Sequence, residues 1–198
     1  MSSNPLSAQR IIKEALSLLA EEGLDKVTLR RLASRLNVQA MSIYWHIKNK
    51  DELYSRMSDA VFADCLESIP PCQTWQQWLK AFGLELWRAQ HEVRDAARLM
   101  FAAPHSVEAL ERIGSDVTAP LVALGLSQAD ALRAQSSVQA LIVGWTGIDQ
   151  NFGRHLDRVM PVERTMAESL DALIAGWQLQ IIPEVESRRS TSEPTGKA

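Results

Sequence analysis

The stretch that most restricts how this 198-residue chain can fold runs from Thr28 to Lys50, TLRRLASRLNVQAMSIYWHIKNK. Thr28 supplies a side-chain oxygen where a helix needs an N-cap. Arg31, rather than Glu, stands at the reciprocal position, so the cap is single. Leu29, Leu32, Ala33 and Leu36 recur at helical spacing and leave Arg30, Arg31 and Arg35 outside. Asn37 stands where this helix must stop, and Asn tolerates the left-handed conformation better than other non-glycine residues. Leu36-Asn37-Val38 therefore reads as a sharp turn, with Val38 plugged into the core. A second short helix, from about Gln39 to His46, turns Ile43 and Ile47 inward. It presents Ala40, Met41, Ser42, Tyr44, Trp45 and His46 outward. Two short helices joined this tightly read as a helix-turn-helix.

Small, polar and aromatic side chains at the start of a second helix, flanked by Arg30, Lys48 and Lys50, suit a reader of the DNA major groove. The cations hold phosphates, while short side chains and flat rings meet base edges. The same surface also fits an ordinary helix pair whose aromatics bind another protein. Charge distribution argues for DNA. The chain carries −3 in all, but residues 1–50 hold eight Lys and Arg against four Asp and Glu, a balance of +4, which leaves −7 on the remainder. A basic head on an acidic body directs the head toward a polyanion.

The segment Tyr44–Leu53, YWHIKNKDEL, resembles the tetracycline-repressor (TetR) family of transcriptional regulators, and its YWH-x-KNK string is most similar to the members that respond to tetracycline. The resemblance implies a homodimeric repressor on a pseudo-palindromic double-stranded operator, controlled by a small-molecule effector. The candidate DNA-contacting set is Thr28, Arg30, Ala40, Met41, Ser42, Tyr44, Trp45, His46, Lys48 and Lys50. Within it Arg30 matches a base contact of the family.

Around this centre the periodicity is helical throughout, and the fold class is all-α. Ser7 caps a helix reaching about Glu22, with Ile11, Ile12, Ala15, Leu16, Leu18 and Leu19 on its apolar side and Gly23 closing it. Together with the helix-turn-helix this makes a three-helix head over residues 1–50. A longer helix from Asn49 or Lys50 to about Ser68 carries Leu53, Met57, Val61, Phe62 and Leu66, and Pro70-Pro71 ends it. It opens a helical regulatory and dimerisation body spanning residues 51–183. Thr74 caps the next helix, with Trp75, Trp78, Leu79, Phe82, Leu86 and Val93 on one side. A short piece from Arg94 to Ala103 follows, then a helix from Ser106 to about Leu124, kinked at Pro120. Ser127 opens a helix to about Phe152, and Pro161 one to Ile182. Residues 184–198 are rich in Ser, Thr, Glu and Arg and read as a disordered tail.

Apolar and small residues occur on more than one face of the Ser127–Phe152 helix, which suits burial on nearly all sides. The helix after Pro161 has Met166, Leu170, Leu173, Ile174, Trp177 and Ile181 on one stripe. The resemblance implies that these two helices pair with their symmetry mates in a four-helix dimer interface.

It also implies an effector pocket in the body, and here the chain departs from the tetracycline-binding members. Gapless alignment places Cys65 or Leu66 near one polar position of those members, Phe82 at their amide, Met100 at their metal-ligating histidine, and Ile148 at a supporting carboxylate. Hard dications need oxygen or imidazole. The expected pocket is instead apolar and aromatic, lined by Leu66, Phe82, Leu86, Met100, Phe101, Trp145 and Ile148, with Gln139 or Asp149 as orienting polar groups. A shifted register would bring His105 and Asp149 to the metal positions.

The expectations are thus no metal, no cofactor and two unpaired thiols, Cys65 and Cys72. No run of eighteen apolar residues suggests a membrane span, and MSSNPLSAQR has no signal-peptide pattern, so the expected setting is the cytoplasm. An all-α enzyme is the competing class. No Ser/His/Asp set, HExxH, P-loop or glycine fingerprint supports it. An effector-free architectural DNA-binding protein is the other alternative.

Overall fold

The computed structural model describes residues 5–103 and 107–190, with side chains left aside at 107–113 and 182–190. Among the described residues the secondary structure is helical, without strands. Helix α1 (Ala8–Glu22) is capped by Ser7, whose hydroxyl accepts from the Arg10 N–H at 3.2 Å. A short 3-10 turn (Leu24–Lys26) leads to α2 (Leu29–Leu36), where the Thr28 hydroxyl accepts from the Arg31 N–H at 3.2 Å. Asn37 lies in the left-handed region at φ 54°. The Val38 N–H then reaches back to the Ala33 carbonyl at 2.9 Å, closing α2 as a helix ends when its last carbonyls are satisfied from beyond the turn. Helix α3 is only Ala40–Tyr44, shorter than the Gln39–His46 expected from periodicity, because the chain tightens into a turn at Trp45.

Helix α4 (Lys50–Glu67) is capped by Asn49, whose side-chain oxygen accepts from the Glu52 N–H at 2.8 Å. Cys65 is buried on α4 where Leu66 was expected, and Leu66 is half-buried beside it. Helices α5 (Trp75–Glu92), α6 (Ala96–Ala102) and α7 (Val107–Ala123) follow. Helix α6 starts two residues later than its sequence pattern suggests, because Asp95 takes φ 56° and breaks the helical path. Pro120 lies inside α7. Helix α8 (Gln128–Leu156) outruns the expected end at Phe152. Helix α9 (Val162–Ser190) passes through Pro183, so residues 184–190, read as tail from composition, are helical. The residues after Pro183 are helix-compatible, and a proline removes only one backbone bond when the rest of the ladder holds. Residues 191–198, Pro104, His105 and Ser106 lie outside the described residues, as do the side chains of Val107, Leu110 and Ile113.

The chain divides into two compact units, residues 1–69 with 85–113 and residues 70–84 with 114–198. The first is organised on a continuous apolar core. Ile11, Leu18, Leu32, Ile43, Ile47, Leu53 and Met57 are fully buried there, and Leu99 of α6 and Ala103 at its C-terminal cap join the same cluster. This core fixes α2 and α3 against α1 and α4. The second unit packs α8 on α9 through Ala131, Ala134, Val138 and Ile142 on one side and Val162, Met166, Leu170 and Ile174 on the other. Gly83 of α5 permits close approach here, since a Cβ would come within 2.7 Å of the Leu170 side chain. Lys80 pairs with Asp171 at 2.7 Å.

Candidate nucleic-acid interface and regulatory body

The head's outer surface is built by the turn at Asn37. With Ile43 and Ile47 fully buried, the remaining faces of α3 and the residues after it point away from the core. Met41 is 67% exposed, Tyr44 45% and Trp45 84%, an unusual presentation of large apolar and aromatic groups to water. Ala40, Ser42 and His46 are half-buried beside them, and Thr28, Arg30, Lys48 and Lys50 are exposed. Lys50 Nζ lies 4.9 Å from the centre of the Tyr54 ring, which orders that cation without neutralising it.

The three arginines of α2 are not equivalent, a distinction the sequence did not reveal. Arg31 pairs with Glu22 of α1. Arg35 donates to Glu14 at 2.5 Å and to Glu21 at 2.6 and 3.0 Å. Glu21 is pushed down to about 2, first by the Arg35 guanidinium and then by the Ser17 hydroxyl. Arg31 and Arg35 therefore hold α2 to α1. Arg30, exposed and without a carboxylate partner among the described residues, keeps its charge for an outside group.

The second feature of this unit is a grip on the 3-10 turn. The Asp95 carboxylate accepts from the Leu24 N–H at 2.8 Å, and the Tyr54 hydroxyl donates to the Leu24 carbonyl at 3.1 Å. Arg94 donates to the Glu21 carbonyl at 3.1 Å, and Arg98 spans Asp25 at 3.0 Å and Asp95 at 3.3 Å. The Leu24 N–H, followed by Arg98 and Arg94, holds the Asp95 carboxyl below the usual carboxylate range against the opposing effect of burial. Gly23 has φ 86°, and a Cβ there would lie 2.9 Å from Asp95 Oδ2. Asp95 and Arg98 thereby tie the start of α6 to the chain between α1 and α2.

The nine candidate effector contacts fall in both units. In the first, Leu86 is buried, Leu66 and Met100 are half-buried, and Phe101 is 74% exposed. In the second, Phe82 is fully buried and stacked on Trp78 with centroids 5.3 Å apart. Gln139 accepts from Gln135 at 2.8 Å along α8, and Asp149 lies over Gly153 of the same helix. Trp145 is half-buried, whereas Ile148 is exposed. Two buried polar groups were not foreseen. Gln90 directs its Nε2 toward the Met100 sulfur at 3.9 Å, and among the described residues neither its Oε1 nor the Thr146 hydroxyl on α8 meets a hydrogen-bond partner. The available signal was a polar residue on a run of apolar positions, Gln90 one turn beyond Leu86. Cys65 and Cys72 are free thiols. Among the described residues no group of three His, Cys, Asp or Glu side chains is placed to hold a metal ion, and no helix is long and apolar enough to cross a membrane.

Residues 11–57 match the family described as bacterial regulatory proteins, tetR family. An HTH-type transcriptional regulator of Saccharopolyspora erythraea is 32% identical over 173 residues, 87% of this chain and 72% of that protein. The chain belongs to the TetR family. The tetracycline repressor protein class E of Escherichia coli is 33% identical over 141 residues, 70% of this chain and 66% of that repressor. Among solved structures, a TetR variant from Acinetobacter baumannii AYE in complex with minocycline superposes with a TM-score of 0.71 at 28% identity, covering 89% of this chain and 99% of that one. The all-α architecture and N-terminal helix-turn-helix are thus those of TetR-family transcriptional regulators.

Proposed function

We propose that this TetR-family protein is a cytoplasmic, ligand-responsive transcriptional repressor and not an enzyme. It acts as a homodimer on a pseudo-palindromic operator and lets go when a small apolar or aromatic effector, other than magnesium-tetracycline, binds the body. The observation that carries DNA reading is the exposure of Met41, Tyr44 and Trp45 beside Arg30, Lys48 and Lys50 on a rigid core. Rings and short side chains then meet base edges while the cations hold phosphates. Two heads about 34–36 Å apart give a short recognition helix its specificity.

Release runs through α6. Leu66, Leu86 and Met100 belong to the unit that also contains α6 and the 3-10 turn. An effector that favours a shifted α6 pulls on Leu24 through Asp95 and moves α1 against α2. Such an effector must bind the released state better by about 1–3 kcal/mol or more, or the equilibrium does not change. The soft thioether of Met100, beside an amide rather than a carboxylate, favours an apolar ligand over a chelated dication.

The test is an operator recovered by selection from randomised duplexes, with the bound protein challenged by a library of hydrophobic aromatic compounds and, separately, by tetracycline with magnesium. Release by members of the library with none by tetracycline is expected. Magnesium-dependent release by submillimolar tetracycline, reversed by a chelator, overturns the effector class. Release by no compound favours an effector-free architectural protein.

A further inference from the structure

A cavity of about 290 Å³ lies between α1, α4 and α5, apart from all nine candidate effector contacts. Its walls are apolar, formed by Leu16 and Ala20 of α1, Val61 and Cys65 of α4, Ala89 of α5, and Val93 just after that helix. Its rim is acidic. Asp64, Glu85 and Glu92 stand there against the single cation Arg88, with the Ser68 hydroxyl beside them. Arg88 donates through Nε to Glu85 at 2.9 Å and reaches Glu92 only at 3.9 Å, so Asp64 and Glu92 remain to receive an outside positive charge. The wall thiol stays protonated, because burial, then the Glu85 charge, pushes Cys65 up to about 12. It meets a ligand as a neutral, weakly polar surface and not as a nucleophile.

From this cavity we infer an accessory effector site for a fragment-sized organic monocation, its apolar body between Leu16, Val61 and Ala89 and its ammonium group at Asp64 and Glu92. The volume lies just below the usual range for small-molecule sites, about 300–1,000 Å³, which excludes a large polycyclic ligand. A low-dielectric wall strengthens an ion pair at its edge, so the carboxylates select charge while the walls select size. A more open cleft continues past Leu16 and Asp64 to Lys13 and Arg56. Cation preference belongs to the inner cavity, where carboxylates outnumber the guanidinium. Because α1 is packed into the same core as α2 and α3, an occupant between α1 and α4 bears on the reading head.

Calorimetric titration of the full-length protein with tryptamine, 3-ethylindole and indole-3-propionate tests this, since the three share an indole and differ in charge. Saturable tryptamine binding is expected, at least tenfold weaker for the neutral analogue and undetectable for the anion. The double variant Asp64→Asn/Glu92→Gln is expected to weaken tryptamine at least tenfold. Ala89→Phe fills the cavity and Ala20→Trp covers its exposed mouth, so both should abolish binding; the second keeps the test valid if the first disturbs the core. Equal binding of all three indoles, or tryptamine binding that survives Ala20→Trp, overturns the site. Saturating tryptamine is also expected to change wild-type operator affinity and to leave that of Ala20→Trp unaltered. Calorimetric binding with no change in operator affinity overturns the effector role, and no operator binding by the untreated protein marks a failure of the repressor reading instead.

Discussion

Arg30 and Lys50 are both exposed cations on the head, yet different partners are expected for them. Arg30 stands at the start of α2 with its charge available, and its family match is a base contact, so Arg30→Ala is expected to relax preference at one base pair at a cost of about 1–3 kcal/mol. Lys50, ordered over Tyr54 at the start of α4, is suited to a phosphate. Lys50→Ala is expected to weaken operator and random duplex alike and to make the salt dependence shallower by about one unit. Randomised-site selection and salt titration separate the two, and a Lys50→Ala loss confined to the operator would reverse the assignment. Asp95 carries a prediction of its own. Its carboxyl titrates lower in the folded protein than in the unfolded chain, so the bond to Leu24 contributes fully above about pH 4 and fades as pH falls through the folded value. Asp95→Asn suits the test because Asn tolerates φ 56°. The variant is expected to melt a few degrees below wild type at pH 7, with the gap closing as the pH is taken down through the acid range; a gap constant with pH would show that the charge is not what matters.

At the level of elements, the α2–α3 turn shows how local residues set a functional geometry. Asn37 must hold φ 54° for Val38 to return its N–H to Ala33, and this turn fixes which face of α3 is outward. Asn37→Gly is expected to be nearly neutral. Asn37→Val is expected to cost about 1–2 kcal/mol, because a β-branched side chain resists the left-handed region, with operator affinity falling alongside melting temperature. If affinity falls while stability holds, Asn37 itself touches DNA. This turn was legible in the sequence because every group that makes it lies within five residues of Ala33, and the caps at Ser7 and Thr28 are just as local. The pairing of Arg31 and Arg35 was not, since periodicity marks them only as outside and their carboxylates lie on another helix. Nor was the grip of α6 on Leu24, whose donor and acceptor are 71 residues apart. Helix ends failed where tertiary bonds overrode local pattern, as at Asp95. The exposure of Met41, Tyr44 and Trp45 was readable, whereas the proposed effector contacts came only from alignment to relatives, and the structure divides them between two units.

For the whole molecule, the faces that α8 and α9 leave uncovered argue for a second copy of the chain. On α8 Gly144, Ile148 and Phe152 fall on one stripe at four-residue steps, all exposed; on α9 Ala172, Gly176 and Leu179, at a four- and then a three-residue step, are likewise exposed on one stripe. A Cβ at Gly144 or at Gly176 would meet nothing within 4 Å. Glycine is therefore not required at either site by packing inside one chain, while small residues on an apolar stripe let a partner helix approach closely. Gly144→Leu and Ile148→Asp should each leave the protomer folded, because neither side chain has an internal cavity to crowd or vacate, and each should shift sedimentation from dimer toward monomer. Ile148→Asp places like charges across a two-fold interface and should act more strongly. Operator affinity is expected to fall with dimerisation while the weak, salt-sensitive binding to random DNA persists, since each head still carries Arg30, Lys48 and Lys50. If both variants remain dimeric with wild-type operator affinity, the exposed stripes are not the dimer interface, and the two heads must be held together elsewhere.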